Sequence, residues 1–247
     1  MNDTAASSVR IKPTVVLVHG AFADSSSWNG VIERLHGAGY EVVAAANPLR
    51  GLASDAAQVA AVVKSVEGPV VLVGHSYGGA VISQAADGDP KVKALVYVAA
   101  FIPEKGESAL ELAEKFPGST LGPNLQAVPF PLTDGGTGND LYIQKDKFHD
   151  QFAADVPRSV TGLMAATQRP IAASALEEAA ASSAWHNTPS WSLIATEDYN
   201  IPPAAQRFMS ERAKARTMEI DASHAVSVSQ PEAVARLIEQ AVESAAH

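Results

Sequence analysis

The sequence contains no cysteine, and that absence removes disulfides, thiolate metal sites and cysteine nucleophiles from consideration. Positive charge is scarce as well: 18 lysines and arginines face 27 aspartates and glutamates, a formal net charge of −9. Such a balance favours solubility and disfavours nucleic acid and anionic membrane surfaces as partners. No apolar run approaches the roughly 20 residues needed to cross a bilayer. Residues 1–12, MNDTAASSVRIK, lack the apolar core of a secretory signal. They are read as a frayed tail, and a cytoplasmic enzyme is the default expectation. Internal repeats and low-complexity linkers are missing too. What remains is 247 residues, 47% of them hydrophobic and 18% charged, ordinary figures for a globular protein and enough chain to bury one large core.

The chain alternates apolar runs with amphipathic stretches. Residues 14–18 (TVVLV) form a β-branched run of the kind buried on both faces of a parallel sheet. An amphipathic helix is expected over residues 28–36, capped by Asp24 or the serines after it and stopped by Gly37 and Gly39. Residues 41–46 read as the next strand, and Ser54 or Asp55 as the cap of a helix to Val66. A strand over 70–73, a helix just past Ser76 and a strand over 92–99 carry the alternation through four strands. This alternation argues an α/β fold with a doubly wound, mostly parallel sheet. From residue 104 to 187 strong buried strands are missing, and residues 108–115, 145–154, 157–167 and 172–184 read as helices. A structureless loop of that length is uncommon. Residues 104–187 are therefore expected to form a helical cap, inserted into a core made of 13–103 and 188–247. The alternation resumes with a strand over 192–195, a helix over 203–213, a strand over 216–220 and a last helix from Pro231.

The strand over 70–73 runs into Gly74-His75-Ser76-Tyr77-Gly78, a G-x-S-x-G sequence at a strand-to-helix junction. A turn this sharp forces Ser76 into a strained backbone conformation and holds its hydroxyl above the sheet edge. A side chain at Gly74 or Gly78 would collide with the neighbouring strand or helix. Ser76 is therefore the candidate nucleophile, and a base, an acid and oxyanion donors have to come from elsewhere. In folds with such an elbow the acid and then the base follow the serine along the chain. Of seven histidines, His224 is the one in a loop after the final strand, able to return to the active edge. His19 and His75 lie inside tight motifs and read as structural hydrogen-bonders. His36, His149, His186 and His247 fall in helical, cap or terminal contexts. For the acid, Glu197 and Asp198 both follow the strand over 192–195. The backbone N–H groups of Ala21, after the first strand, and of Tyr77, at a helix start, are the candidate oxyanion donors. Trp28 reads as a packing residue.

The segments VLVHGAF, VGHSYGG, TEDYNIPP and ASHAVSVSQPE resemble, in this order, the motifs of the α/β-hydrolase superfamily, over nearly the whole chain from Thr14 onward. The resemblance implies a serine hydrolase that cleaves a small-molecule ester or lactone and needs no cofactor or metal. The stretch from Asp198 to Pro202 resembles the D-x-x-[IV]-P turn of that superfamily, which favours Asp198 over Glu197 as the acid. VHGAFADSSSW and the elbow resemble the group of esterases and hydroxynitrile lyases that includes plant methylesterases. Those lyases carry threonine where this chain has Gly20 and lysine where it has Ala225. Both departures favour ester hydrolysis over cyanohydrin cleavage. A weaker resemblance to cofactor-free haloperoxidases allows perhydrolysis as a side activity. The fold also hosts hormone receptors, so a ligand-binding protein is the rival reading, against which a complete set of three residues argues.

Phe22, Phe101, Phe148, Phe152 and Trp185 are candidates for the substrate pocket, although for Phe148 and Phe152 packing of the cap core is the favoured reading over a place in the pocket roof. Residues 135–140, GGTGND, match a single calcium-binding nonapeptide. Such sites need stacked copies, so the match reads as a plain turn.

Overall fold

The computed structural model describes residues 12–245; the tail expected over residues 1–12 lies outside them except for Lys12. The four apolar runs become β1 (Thr14–Val18), β2 (Val42–Ala45), β3 (Val70–His75) and β4 (Val92–Val98). Between them lie α1 (Asn29–Gly37), α2 (Leu52–Ser65) and α3 (Tyr77–Ala85). The inserted segment contains α4 (Ala109–Glu114), β5 (Leu125–Pro131), β6 (Thr137–Ile143), α5 (Phe148–Phe152), α6 (Arg158–Thr167), β7 (Ile171–Ala172) and α7 (Ala173–Glu177). The chain ends with β8 (Ser190–Ala195), α8 (Pro203–Arg212), β9 (Arg216–Ile220), α9 (Val226–Ser229) and α10 (Pro231–Ala245).

Six strands pair in the order β2-β1-β3-β4-β8-β9, every pair parallel. The alternation of side chains along a strand divides the apolar residues between two cores. Val15 and Leu17 pack with Val31 and Leu35 of α1 and with Leu237 and Ile238 of α10. Val16 and Val18 pack on the other face with Val59, Val63 and Ile82 of α2 and α3 and with the insertion. Burying each such side chain contributes about 1.5–3 kcal/mol relative to leaving it exposed. Because β1 lies between β2 and β3, the chain leaves β1 and β3 in opposite lateral directions. The loops after those two strands part there, and a crevice opens at the carboxyl edge of the sheet.

The cap expected to be helical is mixed. β5, β6 and β7 form a separate three-stranded sheet, antiparallel throughout. The signal for β5 is weak because Pro129 and Pro131 interrupt it and none of its residues is buried; proline is tolerated in an edge strand, where an N–H is not required for the ladder. The helices foreseen in the insertion are present but shorter. The helix expected over 172–184 is only α7, and that expected over 145–154 is only α5. The GGTGND stretch is a hairpin tip followed by β6, with Gly135 at a φ of 86°.

A second correction concerns α2. Its N-cap is Gly51, so Ser54 and Asp55 lie inside the helix. The free N–H groups of its first turn are met by Glu178 of the insertion, whose carboxylate accepts from Leu52 at 2.5 Å and Ala53 at 3.1 Å. Among the described residues no helix is long and apolar enough to cross a membrane.

Candidate active site

Ser76 stands between β3 and α3 with φ 56° and ψ −125°, a backbone conformation that costs a non-glycine residue about 1–3 kcal/mol and persists only where the surroundings enforce it. Here they do. The Ser76 carbonyl accepts N–H groups from Gly79 at 3.0 Å and Phe101 at 3.1 Å. A Cβ on Gly74 would lie 2.5 Å from the Gly78 carbonyl oxygen, and one on Gly78 would lie 2.5 Å from that of Val18. The expected collisions of helix with strand are thus present at both glycines. Gly20 belongs to the same constriction: a Cβ there would sit 2.6 Å from Ser76 Cβ and 2.8 Å from the His75 carbonyl oxygen.

Three of the residues singled out in the sequence come together. Ser76 Oγ lies 2.8 Å from His224 Nε2, and His224 Nδ1 lies 2.6 Å from Asp198 Oδ2. The imidazole therefore donates from Nδ1 and is free to accept the serine proton at Nε2. Asp198 is oriented by three further donors. Gln206 Nε2 reaches Oδ2 at 2.9 Å, while the N–H groups of Asn200 and Ile201 reach Oδ1 at 2.7 and 3.0 Å. His224 and Asp198 are buried, whereas Ser76 keeps 7% of its surface exposed. Glu197, the other carboxylate considered, is exposed and has no part in this line.

His19 and His75 hold backbone, as expected. His19 Nδ1–H donates to the Gly20 carbonyl at 2.9 Å, and its Nε2 accepts the Asn47 N–H at 3.0 Å. His75 Nε2–H donates to the His224 carbonyl at 2.8 Å. Burial, assisted by the neighbouring His224, pushes the His75 ring down to about 3, so it remains neutral. Trp28 is fully buried and meets the His75 ring edge-on.

The Tyr77 N–H is among the free donors of the first turn of α3. Its side chain is anchored, because the hydroxyl donates to Asp55 Oδ2 at 2.8 Å. Burial raises the Tyr77 phenol and the Asp55 carboxyl above their ordinary values. The loop bearing Ala21 is fixed at the next residue: Phe22 adopts a φ of 62° and donates its N–H to the Arg169 carbonyl at 2.9 Å. Among the described residues neither the Ala21 nor the Tyr77 N–H has an acceptor in the protein. Both residues line the same cleft as Ser76.

That cleft has a volume of about 400 Å³. Ala21, Phe22, Ser76, Tyr77 and Phe101 contribute from the sheet side, and Phe116, Leu121, Leu141 and Leu176 from the insertion. Among the described residues, Glu114 and Glu177 are the charged ones on its walls. Two of the five candidate pocket aromatics, Phe22 and Phe101, are therefore in the wall. The other three are not among the wall residues. Phe148 and Phe152 are buried and stacked on each other, centroids 5.1 Å apart, because the single turn of α5 faces the sheet domain. Trp185 is drawn away by its Nε1–H, which donates to the Pro103 carbonyl at 2.9 Å.

The residues missed in the sequence are polar. Gln206 falls among the buried positions Ala205, Met209 and Ser210 of α8; a glutamine on the apolar stripe of a helix is a signal that it has a buried partner. Gln151 is buried in the same way on α5, and so short a helix leaves no stripe to read.

A family model described as "Alpha/beta hydrolase family" matches residues 15–237. The alpha/beta hydrolase nvfD of Aspergillus novofumigatus is 27% identical, over 94% of this chain and 97% of that protein. A pyrethroid hydrolase of Sphingobium wenxiniae is 26% identical, over 91% of this chain and 85% of its own. The crystal structure of polyneuridine aldehyde esterase shares the fold with a TM-score of 0.81 at 20% identity, covering 93% of this chain and 99% of that one. Ester hydrolases are thus among the distant relatives.

Proposed function

The chain belongs to the alpha/beta hydrolase family, and from that premise we propose that it is a serine-dependent hydrolase cleaving a small-molecule carboxylic ester or lactone through an acyl-enzyme. The observation that carries this reading is the line of hydrogen bonds from Ser76 through His224 to Asp198, ending at an apolar cleft. A serine hydroxyl is a weak nucleophile until an imidazole takes its proton. His224 Nε2 accepts that proton as Ser76 Oγ attacks the carbonyl carbon, and Asp198 stabilises the imidazolium and keeps Nδ1 protonated. The oxyanion of the tetrahedral intermediate is met by the Ala21 and Tyr77 amides. A preorganised donor of this kind is typically worth about 100- to 1,000-fold in rate. His224 returns the proton to the leaving alcohol, and the acyl group remains on Ser76. His224 then deprotonates water, which releases the acid and restores the serine.

The walls favour an uncharged ester with an apolar group. Among the described residues they carry no lysine or arginine, and their two charged residues, Glu114 and Glu177, repel an anion. Two features count against cyanohydrin cleavage on this scaffold. Threonine does not fit at position 20 without displacing Ser76 or His75, and position 225 carries a buried alanine where the hydroxynitrile lyases have lysine. The test is Ser76→Ala assayed on a short p-nitrophenyl ester. Hydrolysis is expected to vanish, a loss on the order of 10⁶-fold in kcat, with the melting temperature unchanged. Full activity in that variant would end the proposal.

A further inference from the structure

α5 bonds through two adjacent residues to two different loops at the sheet edge. Gln151, 4% exposed, makes four hydrogen bonds, the full capacity of a carboxamide. Its Nε2 donates to the Tyr199 carbonyl at 2.9 Å and to Asn200 Oδ1 at 2.7 Å. Its Oε1 accepts from Thr120 Oγ1 at 2.8 Å and Asn124 Nδ2 at 2.7 Å. Asn200 in turn gives its backbone N–H to Asp198 Oδ1. Phe152, the next residue, accepts the Ala225 N–H on its carbonyl oxygen at 2.9 Å. Its ring stands nearly perpendicular to that of His224, with centroids 5.1 Å apart.

One residue of α5 therefore grips the loop of the acid, and its neighbour grips the loop of the base. The two loops share a backbone bond of their own from Glu197 N–H to the Ala222 carbonyl, 3.1 Å, upstream of both functional side chains. The 2.6 Å contact from His224 to Asp198 depends on the relative position of two strand-to-helix connections, and misplacement by about 1 Å can cost on the order of 100-fold in rate.

We propose that α5 is a splint across the acid and base loops, and that Gln151 is a positioning residue acting on Asp198 through Tyr199 and Asn200. The inference rests on the triad proposed above. It assigns the insertion a second task, distinct from lining the cleft.

Gln151→Met keeps the approximate volume and removes all four bonds. It is expected to lower kcat about 10- to 100-fold on the p-nitrophenyl ester, with KM within about twofold. In an Asp198→Asn background the same substitution is expected to cost less than about twofold, because the group it acts through is already disabled. Equal losses in the two backgrounds, no loss in either, or a loss expressed in KM would overturn the proposal. If the methionine variant does not fold, Thr120→Val is read instead. This change removes one donor to Oε1 from a more exposed position, and the kcat loss expected is about threefold, absent with Asp198→Asn. An unchanged kcat overturns the proposal there too. Ser76→Ala in the same series separates the two claims. If it stays active, hydrolysis at Ser76 is wrong. If it is dead while the Gln151 losses are additive with Asp198→Asn, only the splint is wrong.

Discussion

In the sheet, β3 buries all six of its residues; in the insertion, β5 buries none of its seven. The first strand is fixed by apolar contacts on two faces, which is why the turn that follows can hold Ser76 in a costly backbone conformation. The second is fixed by one neighbouring strand, and the insertion meets the sheet domain through buried apolar residues such as Ile143, Phe148, Phe152 and Ile171 and through directed polar contacts. Glu178 closes the first turn of α2, Arg212 of α8 makes a two-pronged ion pair with Glu107 at 2.7 and 2.8 Å, and Gln151 holds the acid loop. A region held by broad burial tolerates the loss of one contact. A loop aligned by directed bonds, as that of Asp198 is by Gln151, is positioned well only while each is present.

This contrast separates the expected effects of substitution. The largest belongs to the sheet side. Asp198→Asn should lower kcat about 10³- to 10⁴-fold with all esters, while Glu197→Gln, at an exposed position, should stay within about twofold. Steady-state kinetics decide between them, and a large loss in the Glu197 variant alone would reassign the acid.

The second effect is on stability against pH. His75 has an ordinary value of 6.5 and is held at about 3 in the folded chain, so between these values the unfolded state binds a proton that the folded state does not. The stability in question is fully present above about pH 6.5 and declines as the pH falls toward 3, by up to about 1.4 kcal/mol per unit. Urea midpoints taken between pH 6.5 and 4.5 should lose this slope in His75→Gln. A slope identical to that of the parent would show that the proton is bound elsewhere, with His19, also lowered by burial, the first alternative.

The smallest effect belongs to the insertion. Ala113 of α4 lines the cleft, and Ala113→Trp should raise KM for an octanoate ester about tenfold or more while leaving the acetate ester within about twofold. Equal changes for the two esters would remove Ala113 from the binding region and weaken the division between a catalytic sheet and a selective cap.

The same division explains what could be read in the sequence. Residues 14–18 and 70–73 announce themselves because a strand buried on both faces has to be apolar at every position. The elbow is legible because glycine is enforced at positions 74 and 78 by contacts with backbone, and the order of acid and base follows from chain topology. β5 and β6 were not legible, since their pairing replaces burial and two prolines erase the alternation. The cap of α2 was misread for a related reason. Ser54 and Asp55 are good local caps, yet the acceptor comes from Glu178, 126 residues from Leu52 in the chain. Phe148 and Phe152 are apolar in any reading, but which way a helix of one turn faces is decided by tertiary contacts. Gln151 has partners as near as Asn124 and as far as Asn200, and no local pattern records them.

One property of the sheet bears on how such a molecule can change. β4 and β8 are hydrogen-bonded neighbours that run in the same direction. A tight reversal cannot join strands of that kind; the connection has to travel back along the sheet and takes a dozen or more residues. The roof over the cleft is therefore also the wiring between adjacent strands, and it cannot be deleted. It can only be exchanged for another crossover. A transplanted roof that left residues 198–201 and 224–225 as they are would have to arrive with its own amide group at the height of Asn200, so a graft chosen for its pocket alone would bring new selectivity to a slower catalyst.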